Sequence, residues 1–246
     1  MFKHIISLGH FCGVAQELER LGLRDASYPF DWLITKREPL HRLIDNHFDG
    51  FLEYDNLYQS QEEKNIYRNK YYDFGVSFYH DFSKYKPLDT QLNEVKEKYT
   101  RRIERFYTAI TEPTLFIRYV NNEDDAEYYS KHSDERLAYY KQFCPENELI
   151  FVVNYEYKNF NIPNAYYVEK DKNDTVARRF ADKNKVLLDF LLSDKIYDKN
   201  KRQKNLAVYN ENQKKKQHRN SAVNKVLKKA ENKLRKQYTH NRTVNE

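Results

Sequence analysis

The residues Ile5-Ile6-Ser7-Leu8-Gly9-His10-Phe11-Cys12-Gly13-Val14-Ala15 put a thiol after a short apolar run and a glycine turn, at the mouth of a helix. A thiol there meets the positive end of the helix dipole and backbone N–H groups without intrahelical acceptors. That setting favours the thiolate, the form that attacks a carbonyl carbon. The same pattern also describes a small buried cysteine packing a strand–helix junction. Cys144, the other of the two cysteines, has no comparable setting.

A cysteine nucleophile needs a base, and the base needs an orienting group. His80 ends the strand-like run Gly75-Val76-Ser77-Phe78-Tyr79-His80-Asp81-Phe82, where α/β enzymes place catalytic groups. Asp81 follows it, but neighbours on a strand point to opposite faces. His10, two residues before Cys12, is a second candidate base and a candidate pocket residue. In Tyr28-Pro29-Phe30-Asp31-Trp32, Asp31 stands between large aromatics and must find a partner. It is either an orienting acid or a turn acid that anchors Trp32.

Arg118 interrupts the apolar run Leu115-Phe116-Ile117-Arg118-Tyr119-Val120 and needs an anion or several acceptors. It could hold a substrate carboxylate or phosphate, or pair with an acid of the chain. Asn154 ends the next apolar run and could orient a histidine, donate to an oxyanion or cap the strand end. Ser7 and Gly9 complete the candidate substrate-binding set with His10, Arg118 and Asn154.

These residues need a frame. Strands are expected over 2–8, 51–58, 71–82, 114–120, 148–154 and 165–168, and the segment 51–58 reads equally as a loop. Helices are expected over 13–21, 39–47, 88–110 and 124–143, with a further one including 186–192. Leu92, Val95, Tyr99, Ile103, Phe106 and Ile110 carry the strongest helical spacing, and Pro113 closes it. The alternation of strand and helix indicates an α/β fold: a mainly parallel central sheet with helices on both faces, plus a basic C-terminal helical tail. All five glycines fall at or before residue 75, so the first third most needs unusual backbone angles.

Charge divides the chain. Residues 199–246 hold 15 Lys/Arg and 3 Asp/Glu, a net of +12 against +6 for the whole chain. The first 198 residues therefore carry a net of −6. The expected organisation is an α/β domain over 1–198 and a basic tail over 199–246. In the tail Ala222, Val223, Val226, Leu227, Ala230 and Leu234 mark a short amphipathic helix with lysines opposite. Such a helix can lie on an anionic membrane surface or dock on a protein partner. Nucleic acid is not an expected partner, because no stacking aromatics interleave the basic cluster.

No run of about 18 apolar residues is present, so no membrane-spanning helix is expected. The start lacks the long apolar core of a secretion signal. Two cysteines give no disulfide framework and no metal-ligand spacing, so a reduced, cytoplasmic setting is expected, with neither metal nor cofactor. A tail-mediated position at the inner face of the membrane fits the same charge pattern.

Ser7-Leu8-Gly9, Cys12, Ala15, Leu18, Leu23-Arg24 and Tyr28-Pro29-Phe30-Asp31-Trp32 resemble a bacterial family labelled papain-like cysteine peptidases. Phe78-Tyr79-His80-Asp81-Phe82 and Leu115-Phe116-Ile117-Arg118-Tyr119 look like its later motifs, and the resemblance covers about residues 1–155. Members often sit in capsule and surface-polysaccharide gene clusters. The resemblance implies a Cys–His hydrolase or acyltransferase, with Cys12 as nucleophile, His80 as base and Asp31 as orienter. A papain-like order would make Asn154 the third member instead. The expected substrate is an acyl, peptide or saccharide compound. The other class of function is a non-catalytic saccharide- or partner-binding protein tethered by its basic tail. A nucleotide-sugar transferase fits less well, for want of a diphosphate-binding glycine loop or an Asp-x-Asp metal motif.

Overall fold

The computed structural model of the chain describes residues 1–63 and 66–243. Strand β1 (His4–Ser7) leads through a tight turn into α1 (Gly13–Arg20). A 3-10 turn over Pro29–Trp32 then precedes β2 (Leu33–Thr35) and α2 (Arg37–Asp45). Strands β3 (Leu57–Gln59), β4 (Tyr67–Asn69) and β5 (Val76–Phe78) lead to α3 (Asp89–Ala109). The chain continues through β6 (Thr114–Val120), α4 (Glu123–Lys141), β7 (Glu148–Asn154), β8 (Ala165–Val168), α5 (Lys185–Leu192) and α6 (Lys199–Thr243).

The main sheet is parallel, in the order β1-β6-β7-β8. Its central strand β6 is buried at every position, as a parallel strand covered on both faces must be. Alternation sorts its side chains. Leu115, Ile117 and Tyr119 join Val14 and Leu18 of α1 and Leu187 and Leu191 of α5. Phe116 and Val120 face the other way, with Phe106 of α3 and Ala126, Tyr129 and Tyr140 of α4. Helices thus cover both faces, as the strand–helix alternation predicts. Aromatic burial dominates the second layer, and each buried Phe of this kind contributes roughly 1.5–3 kcal/mol.

The connection between β1 and β6 departs from the reading of the sequence. It folds into a second, antiparallel sheet, β2-β5-β4-β3. The strand expected over 51–58 is a 3-10 turn, Tyr54–Asn56, followed by the three residues of β3. The strand expected over 71–82 shrinks to Val76–Phe78. Asp73 and Phe74 take left-handed backbone angles (φ 51° and 55°), which break the extended run before it.

The chain divides into two compact units, Met1–Asn205 and Leu206–Glu246. The first turns of α6 belong to the first unit: Arg202 donates to the Leu192 carbonyl at 2.5 Å and Asn205 to the Gly22 carbonyl at 3.0 Å. The second unit is the continuing helix, with Lys214, Lys215 and Lys216 exposed and Lys215 paired to Glu211 at 2.6 Å. The apolar stripe read at 222, 223, 226, 227, 230 and 234 falls on helical backbone, and its side chains lie outside the described residues. Among the described residues no helix is long and apolar enough to cross a membrane.

Candidate functional site

The C-terminal ends of β1, β6 and β7 share one edge of the parallel sheet, the place where open α/β sheets hold ligands. Ser7 is buried there, and its Oγ accepts the Gly9 amide at 3.1 Å. Gly9 and His10 both take left-handed backbone (φ 76° and 69°). Glycine adopts that freely, but histidine is strained, and such strain gathers at functional sites. The turn delivers Cys12 to the N-cap of α1, where no side chain caps the helix. Gly13 is required by its neighbour: a Cβ there would sit 2.1 Å from the Phe11 ring.

Cys12 is partly exposed. Its Sγ accepts the Gln16 side-chain amide at 3.7 Å. Burial pushes its thiol up, and the Arg178 guanidinium pulls the other way. This corrects the expectation of a thiol lowered by the helix dipole. An eight-residue helix exerts its field over a short range, and removing the sulfur from water costs more than that field returns.

His10 stacks on Tyr119 with ring centroids 6.4 Å apart and meets Phe11 edge-on at 6.0 Å. Burial and the nearby Arg118 push its imidazole down to about 3, so it is neutral at pH 7. His10 also lines a cavity of about 520 Å³ between the start of α2 and the start of α4, with Arg37, Tyr72, Asp73, Asn122 and Asp125.

Arg118 is fully buried. It donates to the Leu8 carbonyl at 2.9 Å and to Asp125 at 3.5 Å, which pins the strand β1 exit to the first turn of α4. Asn154 accepts from the Tyr119 hydroxyl at 2.6 Å and donates to the Thr175 carbonyl at 2.7 Å. The Ala177 amide donates to that same hydroxyl at 2.6 Å, which ties the loop before Arg178 to the strand ends.

His80 and Asp31 stand apart from these contacts. The His80 ring meets Trp32 edge-on at 5.9 Å. It lines a separate cavity of about 290 Å³ with Asp81, Gln91 and Lys98. Asp81 accepts from Lys98 at 2.5 Å and from the Tyr99 hydroxyl at 3.0 Å. Asp31 accepts from Arg24 at 2.8 and 3.0 Å and from the Tyr28 amide at 2.9 Å. Burial raises its carboxyl while Arg24 opposes that rise. These bonds make Asp31 the anchor of the Tyr28–Trp32 turn. Among the described residues no hydrogen bond joins His80 to Cys12, Asp31, Asp81 or Asn154. The structure therefore gathers Ser7, Gly9, His10, Cys12, Arg118 and Asn154 at one sheet edge and sets His80 and Asp31 elsewhere.

Arg37, Asn122 and Asp125 escaped the reading of the sequence. Asn122 had a signal: its side chain accepts the Asp125 amide at 2.8 Å, the three-residue spacing of a helix cap. Arg37 had none. Among the described residues no three His, Cys, Asp or Glu side chains converge as a metal site requires.

The family model described as "Putative papain-like cysteine peptidase (DUF1796)" matches residues 3–138. An uncharacterized protein of Acanthamoeba polyphaga mimivirus is 32% identical over 155 residues, 54% of this chain and 67% of the viral one. No solved structure matches.

Proposed function

The chain belongs to the papain-like cysteine peptidase family DUF1796, and from that premise we propose that it is a cysteine hydrolase acting on an acyl carbonyl through Cys12. The observation that carries this reading is the place of Cys12, after the end of β1 and at the uncapped start of α1. The first N–H groups of a helix have no intrahelical acceptor. Aimed at a carbonyl bound beside Cys12, they serve as an oxyanion hole.

In this reading Cys12 Sγ bonds to the carbonyl carbon, and the thiol proton passes to an imidazole as attack proceeds. The oxyanion collapses, and the leaving group departs with that proton. Water then attacks the thioester and regenerates the thiol. His10 lies at the same sheet edge, but burial and Arg118 leave it a weak base, so a base role requires that bound substrate raise it. His80 is the competing base, carried by its motif alone. Transfer of the acyl group to a saccharide hydroxyl, in place of water, is the finer form of the proposal and rests on resemblance. Contact of the basic tail with an anionic membrane or a protein partner is proposed from charge alone.

A second reading, a non-catalytic binding protein, is favoured by the direction of the Cys12 shift, which keeps the resting thiol protonated. One experiment separates the two. A panel of p-nitrophenyl acyl esters and peptides is screened, with the acyl-enzyme sought by mass spectrometry. Cys12→Ala is expected to abolish turnover and the adduct in a folded protein. Undiminished turnover by that variant rejects the nucleophile. His10→Asn and His80→Asn, assayed alongside, identify the base.

A further inference from the structure

The cavity between α2 and α4 is walled by His10, Arg37 and Asp125, with Lys36, Glu38 and Asp124 exposed at its rim. Behind the wall Arg118 is buried, its side chain 1% exposed. Two guanidinium groups thus share one carboxylate: Asp125 lies 3.4 Å from Arg37 and 3.5 Å from Arg118. Both distances exceed the 2.7–2.9 Å of a good charge-assisted hydrogen bond. The buried Nε of Arg118 has no hydrogen-bond partner among the described residues, and the buried Nε of Arg37 has only the long ion pair to Asp125 at 3.4 Å. The two guanidiniums therefore carry one positive charge more than Asp125 offsets, together with an unused N–H donor on Arg118. An unpaired buried donor costs about 1–3 kcal/mol, so this arrangement favours an added acceptor.

Two helix starts add to it. Residues Lys36, Arg37 and Glu38 begin α2, which has no side-chain cap, and Asn122 begins α4. Both positive dipole ends face the same cavity. The neighbouring histidines are lowered mainly by burial, with the guanidiniums adding to it. Burial and Arg118 push His10 down to about 3, and burial with Arg136, Arg118 and Arg37 pushes His41 down to about 3. Glu38, Asp73 and Asp124 oppose an anion, but all three are exposed at the rim, where their charge is screened, and Asp73 is paired with Arg42 at 2.7 Å.

We propose that this cavity binds a small oxyanion, the carboxylate or phosphate of a ligand, held by Arg37 against the start of α2 with Arg118 as the buried charge behind it. The rim carboxylates then face the hydroxyl or amino groups of the rest of that ligand. Nothing in this site requires Cys12 to be a nucleophile.

The test uses the full chain and its Cys12→Ala variant, titrated with inorganic phosphate, and with acetate in parallel, at constant ionic strength. Calorimetry is expected to show saturable one-to-one binding in both proteins, with the His10 ring signals moving in NMR spectra. Arg37→Gln is expected to weaken binding at least about ten-fold, the scale of a lost charged hydrogen bond. Lys36→Gln, at the exposed rim, is expected to change it less. Absence of saturable binding overturns the proposal, as does an Arg37→Gln protein that binds like the parent. If Arg37→Gln fails to fold, the parent decides: binding without movement of the His10 and Asn122 signals places the anion elsewhere and rejects the site. Binding lost in Cys12→Ala alone also rejects it, since the thiol is no part of this cavity.

Discussion

The Tyr119 hydroxyl donates to Asn154 at 2.6 Å and accepts the Ala177 amide at the same distance. One oxygen thus joins the ends of β6 and β7 to the loop that leads to Arg178. All three partners are buried, so removing the hydroxyl strands a side-chain oxygen and a backbone N–H. Tyr119→Phe is expected to cost roughly 2–6 kcal/mol, from a penalty of about 1–3 kcal/mol for each of the two orphaned groups. Urea unfolding measures it. A loss under 0.5 kcal/mol would show that the loop is not held this way.

Arg178 acts on Cys12 through charge alone. Because burial raises the thiol, iodoacetamide is expected to label Cys12 with a midpoint above the usual thiol value of about 8.5. Arg178→Gln should move that midpoint higher still, since it removes the positive charge that opposes the rise. The rate of alkylation against pH reads both. Labelling of the parent with a midpoint near pH 6 would contradict the burial argument.

The histidines titrate in opposite senses. Asp25 at 2.7 Å and Glu112 at 3.0 Å raise His4. The folded state then holds its proton more tightly than the unfolded chain. Its contribution to stability is full below about pH 6.5 and is lost as pH rises through the raised value. His10 and His41 are lowered, each to about 3. Their contribution is full above about pH 6.5 and is lost as pH falls toward 3. Imidazole NMR signals should show His10 and His41 neutral at pH 5, with His4 keeping its proton to higher pH than a free imidazole. His4→Gln should flatten the decline in stability above neutrality.

Removing Arg118 leaves the Leu8 carbonyl unpaired and weakens the compensation of Asp125. Arg118→Met is expected to destabilise by about 3–5 kcal/mol, the cost of breaking a buried charge pair from one side. Asp125 keeps Arg37 at 3.4 Å, so Asp125→Leu is measured as well, and the double variant should lose less than the two single losses added. Thermal unfolding of these variants checks the pair. Strictly additive losses would show that Asp125 is not the group Arg118 serves.

Gly9 and Gly13 resist substitution for different reasons. An alanine at Gly9 would meet neighbours at 3.4 Å or more, but must keep a φ of +76°. Gly9→Ala should therefore cost about 1–2 kcal/mol of backbone strain. Gly13→Ala would drive into the Phe11 ring, which packs edge-on against Tyr119 at 5.1 Å. It is expected to change the near-ultraviolet signal of those rings as well as the stability. An unchanged spectrum would place Phe11 away from Gly13.

The parallel frame was legible because its signals are local. The apolar run at 149–153 within β7 is continuous, and α3 repeats its buried residues every three or four positions. The antiparallel sheet was not, since its strands have only three residues each, too few for an alternation to show. In the site, the need of Asp31 for a cation could be read, and Arg24 meets it. The need of Arg118 for acceptors could be read too, but Leu8 and Asp125 could not be named, because the turn after Ser7 decides them. The proximity of His10 and Tyr119 depends on two consecutive left-handed residues, and only the glycine announces that conformation.

The main sheet adds each new strand on the same side, β1-β6-β7-β8, and never reverses. Such an order opens no crevice between diverging connections, so the sheet alone cannot shape a ligand cavity. Here the missing wall comes from the long connection between β1 and β6, whose Ile34, Arg37, Tyr72 and Gly75 face His10, Asn121 and Asn122 of the frame. The thiol and the cavity wall are therefore separable parts. Exchanging residues 33–78 between two members of this family would carry one member's ligand preference to the other, with Cys12 left on its own strand and helix.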